Sequence, residues 1–171
     1  AWIFTSATLT VNGRFDHFTR QLGLYDARCE AWESPFDYRN HCLLYLPPGM
    51  PGPAAPDYTA RVVEASLPVL AASQGRAFML FTSHQALAEA AARLATAVDY
   101  PLFVQGTQPK SRLLEAFKRA GNGVLLGTAT FWEGVDVPGP SLSCVIIDKL
   151  PFAAPSDPVL AARLDSLRRA G

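Results

Sequence analysis

The sequence predicts an α/β fold in which a parallel sheet carries helices on both faces, and three observations predict it. Apolar runs of strand length, Ala77–Phe81, Pro101–Val104, Val124–Leu126 and Leu142–Ile147, alternate with amphipathic helical stretches. Unbroken apolar runs are the mark of strands buried on both faces, as parallel strands are. The connections are short, and strands alternating with helices through short loops argue for a parallel sheet covered on both faces.

Taken in order, Trp2–Phe4 reads as the end of a strand tipped by Thr5, Ser6, Ala7 and Thr8, and Asn12-Gly13 as a turn. Phe15, Phe18 and Leu22 recur at helical spacing between Arg14 and Leu22, with Gly23 placed to end the helix. Cys42–Leu46 reads as a further strand and sheet member, stopped by Pro47-Pro48. The following PPGMPGPAAPD reads as an exposed linker. Asp57 is placed to cap the next helix, and Pro68 belongs in a first turn after Ser66 or at a kink. After the strand at Ala77–Phe81 comes a helix with Leu87, Ala91, Leu94 and Val98 on one stripe. Lys110–Ala120 buries Leu113, Leu114 and Phe117 and displays Lys110, Arg112, Lys118 and Arg119 as a local basic face. Asp157 caps a last helix that starts at Pro158, with Val159, Leu160, Leu164 and Leu167 as its buried stripe.

Fifteen basic and fifteen acidic residues leave no net charge, so no global field draws in nucleic acid or an anionic membrane. A local patch has to hold any such partner. No apolar run is long enough to cross a bilayer, and the N-terminus lacks the blocks of a signal peptide, so no membrane partner and a soluble cytoplasmic protein are expected. Cys29, Cys42 and Cys144 are far apart and form no CxxC pair, so no metal site is expected. The chain starts without methionine and stops just after a helical run, which suggests a piece of something longer.

Polar groups close four of the apolar runs: Thr5–Thr8, Thr82–His84, Gln105–Thr107 and Thr128–Asp136. In a parallel sheet the strand ends of one polarity share an edge, where open α/β sheets bind ligands. The loop GTATFWEGVDVPG, Gly127–Gly139, is the richest of these. Glu133 and Asp136 could be a general acid and base, but no second acid or histidine accompanies them. Phe131 and Trp132 either close the core beneath the loop or stack on single-stranded nucleic acid. His84 alone reads as a hydrogen-bonding loop residue, and the basic helix face as either a solvated surface or a nucleic-acid contact. Neither GxxxxGK[ST] nor GxGxxG follows a strand, so the chain does not hold a triphosphate by itself in that manner.

Four stretches, TSATLT, MLFTSH, GTATFWEGVDVPG and VIIDKLPFAAPSDPVLAARL, resemble the XPD/DinG-type superfamily 2 DNA helicases, nearest the DinG and YoaA branch. The third is the most specific, and together they span nearly the whole chain. The resemblance implies a RecA-like sheet of the P-loop NTPase type, here the second motor domain of a bacterial ATP-dependent DNA helicase moving 5′ to 3′ in DNA repair or replication. It implies that Ser6, Ala7 and Thr8 couple nucleotide to DNA and that Glu133, Gly134 and Asp136 face the ATP cleft. Thr82, Ser83, His84, Gln105, Thr128, Phe131 and Trp132 are then the residues on the single-stranded DNA side.

Other family parts have no match here. The phosphate loop, the acidic motif for magnesium and any iron–sulfur cysteines belong upstream, and the final arginine motif belongs downstream. ATP and magnesium are therefore expected only in the full-length protein, shared with a first motor domain, and the isolated piece is expected to be inactive. Residues 1–28 are expected to be a junction segment and 29–171 the second motor domain. Two alternatives stay open: a non-motor module binding single-stranded nucleic acid or protein, and a self-contained enzyme using Glu133 and Asp136.

Overall fold

The computed structural model describes residues 2–151 and 157–170. The chain forms two compact units, Ala1–Tyr45 and Leu46–Gly171.

The first unit holds two helices, α1 (Asp16–Leu22) and α2 (Tyr38–His41), and none of its described side chains is fully buried. Helix α1 ends at Gly23 as its sequence suggests. Asp37 starts α2 by accepting the Asn40 N–H. The strands expected at Trp2–Phe4 and Cys42–Leu46 are not formed: among the described residues neither stretch has a ladder partner, and Leu43 is 91% exposed. An apolar run becomes a strand only where a neighbour accepts its backbone hydrogen bonds.

The second unit is the α/β body. Its elements are α3 (Tyr58–Ser73), β1 (Ala77–Leu80), α4 (His84–Ala97), β2 (Leu102–Val104), α5 (Lys110–Ala120), β3 (Val124–Gly127), β4 (Cys144–Ile147) and α6 (Pro158–Ala170). The four strands form one all-parallel sheet in the order β2-β3-β1-β4. The register is even: Ala77 faces Val124 on one side and Cys144 on the other. This is the α/β, RecA-like arrangement expected for a helicase motor domain.

Side-chain alternation divides the core between the two sheet faces. Ala77, Met79, Phe81, Val124 and Leu126 meet Leu70 of α3 and Leu87, Ala90 and Leu94 of α4. Phe78, Leu80 and Leu125 meet Leu113 and Phe117 of α5 and Phe131 beyond β3. Strand β4 departs from the expected two-sided burial. Ile146 packs toward the α3/α4 side, while Val145 and Ile147 are 53% and 43% exposed on the α5 side. No described helix covers that end of the face.

Other helix expectations fare unevenly. Asp57 precedes α3 but makes no side-chain capping bond, and Pro68 lies inside the helix, well past the first turn. Lacking an N–H, Pro68 leaves the Glu64 carbonyl without its helical donor. The buried residues of α4 are Ala86, Leu87, Ala90 and Leu94, while Ala91 and Val98 of the expected stripe are only partly buried. Asp157 does cap α6, accepting the N–H groups of Val159 and Leu160 at 2.8 and 3.0 Å. The expected buried stripe of α6 is open instead, with Val159 59% and Leu167 67% exposed. Phe152, in the quoted DKLPF stretch, lies outside the described residues.

Candidate nucleic-acid interface and nucleotide-facing loop

All four strands point the same way, so their C-terminal ends share one edge, and the sequence-selected groups of the second unit collect there. Thr82, Ser83 and His84 follow β1, Gln105 follows β2, and Thr128–Asp136 follows β3. Ser6, Ala7 and Thr8 lie in the first unit, where they are exposed and form a local turn. The Thr8 N–H donates to Ser6 Oγ at 3.2 Å.

The loop after β3 is held in place by three devices. The Gln105 amide oxygen accepts both the Thr128 N–H, at 2.6 Å, and the Thr128 hydroxyl, at 3.1 Å. Thr128 is consequently buried, so its hydroxyl serves the loop's anchorage. Lys110, at the start of α5, donates to the Thr130 carbonyl and stands 5.2 Å from the Phe131 ring centroid. The basic face read from the sequence thus loses Lys110 to this anchorage. Arg112, Lys118 and Arg119 remain exposed.

Gly127 is the third device. A Cβ there would stand 2.8 Å from the Phe131 side chain, so only glycine lets that ring fold back under the strand end. Phe131 is 3% exposed and belongs to the core, which resolves its two readings toward core closure. Trp132 is half-buried: it packs on the same cluster and keeps an open side. Stacking on a nucleic acid is therefore available to Trp132 alone of the pair.

Beyond the short turn Ala129–Phe131 the loop opens to solvent. Glu133 and Asp136 are exposed, and Gly134 between them has φ +66 with no atom near its Cβ position. A left-handed residue at that point turns the chain, and glycine adopts it without steric cost. No three metal-ligating side chains converge among the described residues.

On the β1 side, Ser83 Oγ caps α4 by accepting the Ala86 N–H at 3.2 Å. His84 is the exposed first residue of that helix. Thr82 is exposed, and its N–H donates to Asp148 Oδ1 at 3.2 Å. Asp148, the residue after β4, is 8% exposed and also accepts the Lys149 N–H at 2.6 Å. Burial pushes its pKa up, opposed by the two N–H bonds and by the Lys149 charge. Tyr58 donates its hydroxyl to the Asp148 carbonyl at 2.5 Å, and burial followed by the Asp148 charge raises its pKa.

Sequence reasoning missed this Asp148 network, whose partners lie 66 and 90 residues away. The available signal was an acid immediately after an apolar strand.

The comparisons with known proteins fit this geometry. The chain is 43% identical over its whole length to ATP-dependent DNA helicase YoaA of Escherichia coli (strain K12) and spans 27% of that protein. It is 36% identical to ATP-dependent helicase DinG of Mycobacterium tuberculosis (strain ATCC 25618 / H37Rv), matching 94% of this chain and 25% of the relative. A 3'-5' exonuclease DinG of Bacillus subtilis (strain 168) is 36% identical over 182 aligned residues, covering 99% of this chain and 19% of that protein. The chain therefore spans about a quarter or less of the length of these curated relatives. Residues 67–171, which hold the sheet, the Gln105–Thr128 bracket and the open acidic loop, match the helicase C-terminal domain, and the chain belongs to that family.

Proposed function

We infer that this chain is the second RecA-like motor domain of an ATP-dependent DNA helicase. Its strand-end edge tracks single-stranded DNA, and its Glu133, Gly134 and Asp136 face a nucleotide held mainly by a first motor domain. The observation that carries the reading is the convergence of Thr82, Gln105 and the anchored Thr128 loop on one edge of a helicase C-terminal domain. Contacts there to phosphate and sugar carry no sequence information, which suits a motor that must step along any strand. ATP and magnesium belong to the complete protein, where groups outside these 171 residues neutralise the charge of phosphoryl transfer. Ser6–Thr8 is the coupling segment in this reading, movement is 5′ to 3′, and the setting is DNA repair or replication in the bacterial cytoplasm.

The residues divide the work by position. Gln105 and Lys110 hold the near end of the β3 loop against the sheet and Val135 and Val137 pack on the α5-side cluster, while Glu133, Gly134 and Asp136 stay exposed to meet a nucleotide. A loop packed on the core at both ends with its acids exposed gives a device in which a change at the nucleotide is transmitted to the DNA edge. Reading Glu133 and Asp136 as a self-contained active site gains no support, since no further acid, histidine or cysteine joins them among the described residues.

The test is made on the isolated chain. It is expected to hydrolyse no ATP above background and to bind a labelled oligothymidylate with an affinity that falls as salt rises. ATPase activity surviving stringent purification would overturn the half-site reading. A binding constant flat in salt would overturn the phosphate-tracking edge.

A further inference from the structure

Between the ends of β1, β3 and β4 lies an open hollow of about 290 Å³ that the reading above does not use. We propose that it is a nucleobase pocket, which takes one unstacked base of a single strand lying along the edge. Trp132 is the stacking wall and Lys149 the adjacent phosphate contact. The inference rests on the single-strand reading and adds a subsite to it.

Size selects the ligand first. At about 290 Å³ the hollow is just below the roughly 300–1,000 Å³ of small-molecule pockets, room for one heterocycle. Its lining selects further. Phe81 and Ala129 line the sheet side, Leu150 adds an apolar wall that is 64% exposed, and among the described residues no carboxylate side chain lines it. A largely apolar slot suits a base, and the Asp148 carboxylate behind it is held by the Thr82 and Lys149 N–H groups, with the Lys149 ammonium on the side a phosphate would take.

Trp132 is already ordered for stacking. It packs against the cluster that holds Phe78, Phe117 and Phe131 while its open side lines the hollow, so little side-chain freedom remains to be lost on binding. Lys149 is similarly placed in advance. Its ammonium donates to the Pro53 carbonyl at 3.1 Å and stands 5.0 Å from the Tyr58 ring centroid. An ammonium has three donors, and Lys149 is in no ion pair among the described residues, so it can still meet a phosphate. The Thr82 hydroxyl, also on the lining, makes no hydrogen bond among the described residues and is available to a base edge or a phosphate.

The chain has three tryptophans, and Trp2 and Trp32 are 89% and 82% exposed in the first unit. Replacing both by phenylalanine leaves Trp132 as the sole reporter. This variant is titrated with a labelled oligothymidylate, an abasic strand of equal length and thymidine monophosphate. Anisotropy reads total binding and Trp132 fluorescence reads stacking. The expected result is that both strands bind, that only the oligothymidylate quenches Trp132, and that it binds more tightly.

In the natural chain, Trp132→Ala should weaken oligothymidylate binding by roughly five- to hundredfold and bring it level with the abasic strand. Trp132→Phe should restore most of the loss, which separates stacking from damage to the core. Lys149→Ala should lower the salt slope by about 0.7, the share of one phosphate on a single strand, and Lys149→Arg should restore it. Oligothymidylate binding with Trp132 unquenched, and unaffected by Trp132→Ala, overturns the pocket and leaves the single-strand edge intact. Quenching by the mononucleotide with no binding of either strand overturns both, and so does the absence of any binding.

Discussion

Phe117→Ala is expected to cost about 3–5 kcal/mol of stability, the range for truncating a fully buried aromatic side chain. Phe117 is 0% exposed and is the hub of the α5 side of the sheet. Its ring lies 5.0 Å from that of Phe78 and 6.0 Å, nearly perpendicular, from that of Phe103. Aromatic pairs in such geometry add about 0.5–1.5 kcal/mol each beyond the area they bury. Phe131 and Trp132 rest on the same cluster, so the cavity opens in the core that carries the loop after β3. Against a total stability of about 5–15 kcal/mol the loss is a large share. Urea unfolding followed by circular dichroism measures it, with exposed Arg112→Ala expected within about 0.5 kcal/mol of the natural chain. A Phe117→Ala loss below about 1 kcal/mol would show that the α5 face does not support the loop.

Asp148 carries the second large expectation, and two substitutions separate its charge from its hydrogen bonds. Asp148→Ala strips the acceptor from the Thr82 and Lys149 N–H groups and is expected to destabilise by about 1–3 kcal/mol. Asp148→Asn keeps an acceptor oxygen and removes a charge that burial disfavours, so its stability at neutral pH should stay within about 1 kcal/mol of the natural chain or exceed it.

The pH dependence gives the sign. A carboxyl whose pKa is raised on folding binds its proton more tightly in the folded chain, so its contribution to stability falls as pH rises from the unfolded pKa through the folded one. The stability of the natural chain relative to Asp148→Asn should therefore decrease across that window and level off above it. Urea midpoints from about pH 4 to about pH 8 follow this difference, which cancels the other carboxylates. A difference that increases with pH would mean that the N–H bonds and the Lys149 charge outweigh burial.

The parts of this fold that were legible in sequence are those whose signal is local. The bounds of Lys110–Ala120 are legible because its apolar positions recur at helical spacing. Four strands were legible because each is a near-continuous apolar run, and parallel pairing followed from the helices between β1, β2 and β3. Cys42–Leu46 carries the same local signal and forms no strand, since pairing depends on a partner that a run cannot supply for itself. The stripe of α6 has the right spacing, but what covers a stripe is a tertiary fact.

At the site the distinction is the same. Gln105 and Thr128 were both selected as strand-end residues, yet their mutual hydrogen bonds spend groups that a reading of each loop alone assigns to DNA. Asp148 went unassigned because its side chain acts on Thr82, a residue distant in sequence. Lys110 was seen as one charge among four on a helix face, and only the fold shows it reaching Thr130.

The central claim is that the strand-end edge, and not the exposed basic face of α5, is where this domain meets a single strand. Amide hydrogen exchange of the chain with and without oligothymidylate tests it most directly. Slowed exchange is expected at 81–84, at 105–107 and through 128–136, with the outward positions of α5 around Arg112, Lys118 and Arg119 unchanged. Protection confined to α5, with the three strand-end segments exchanging as in the free chain, would contradict it.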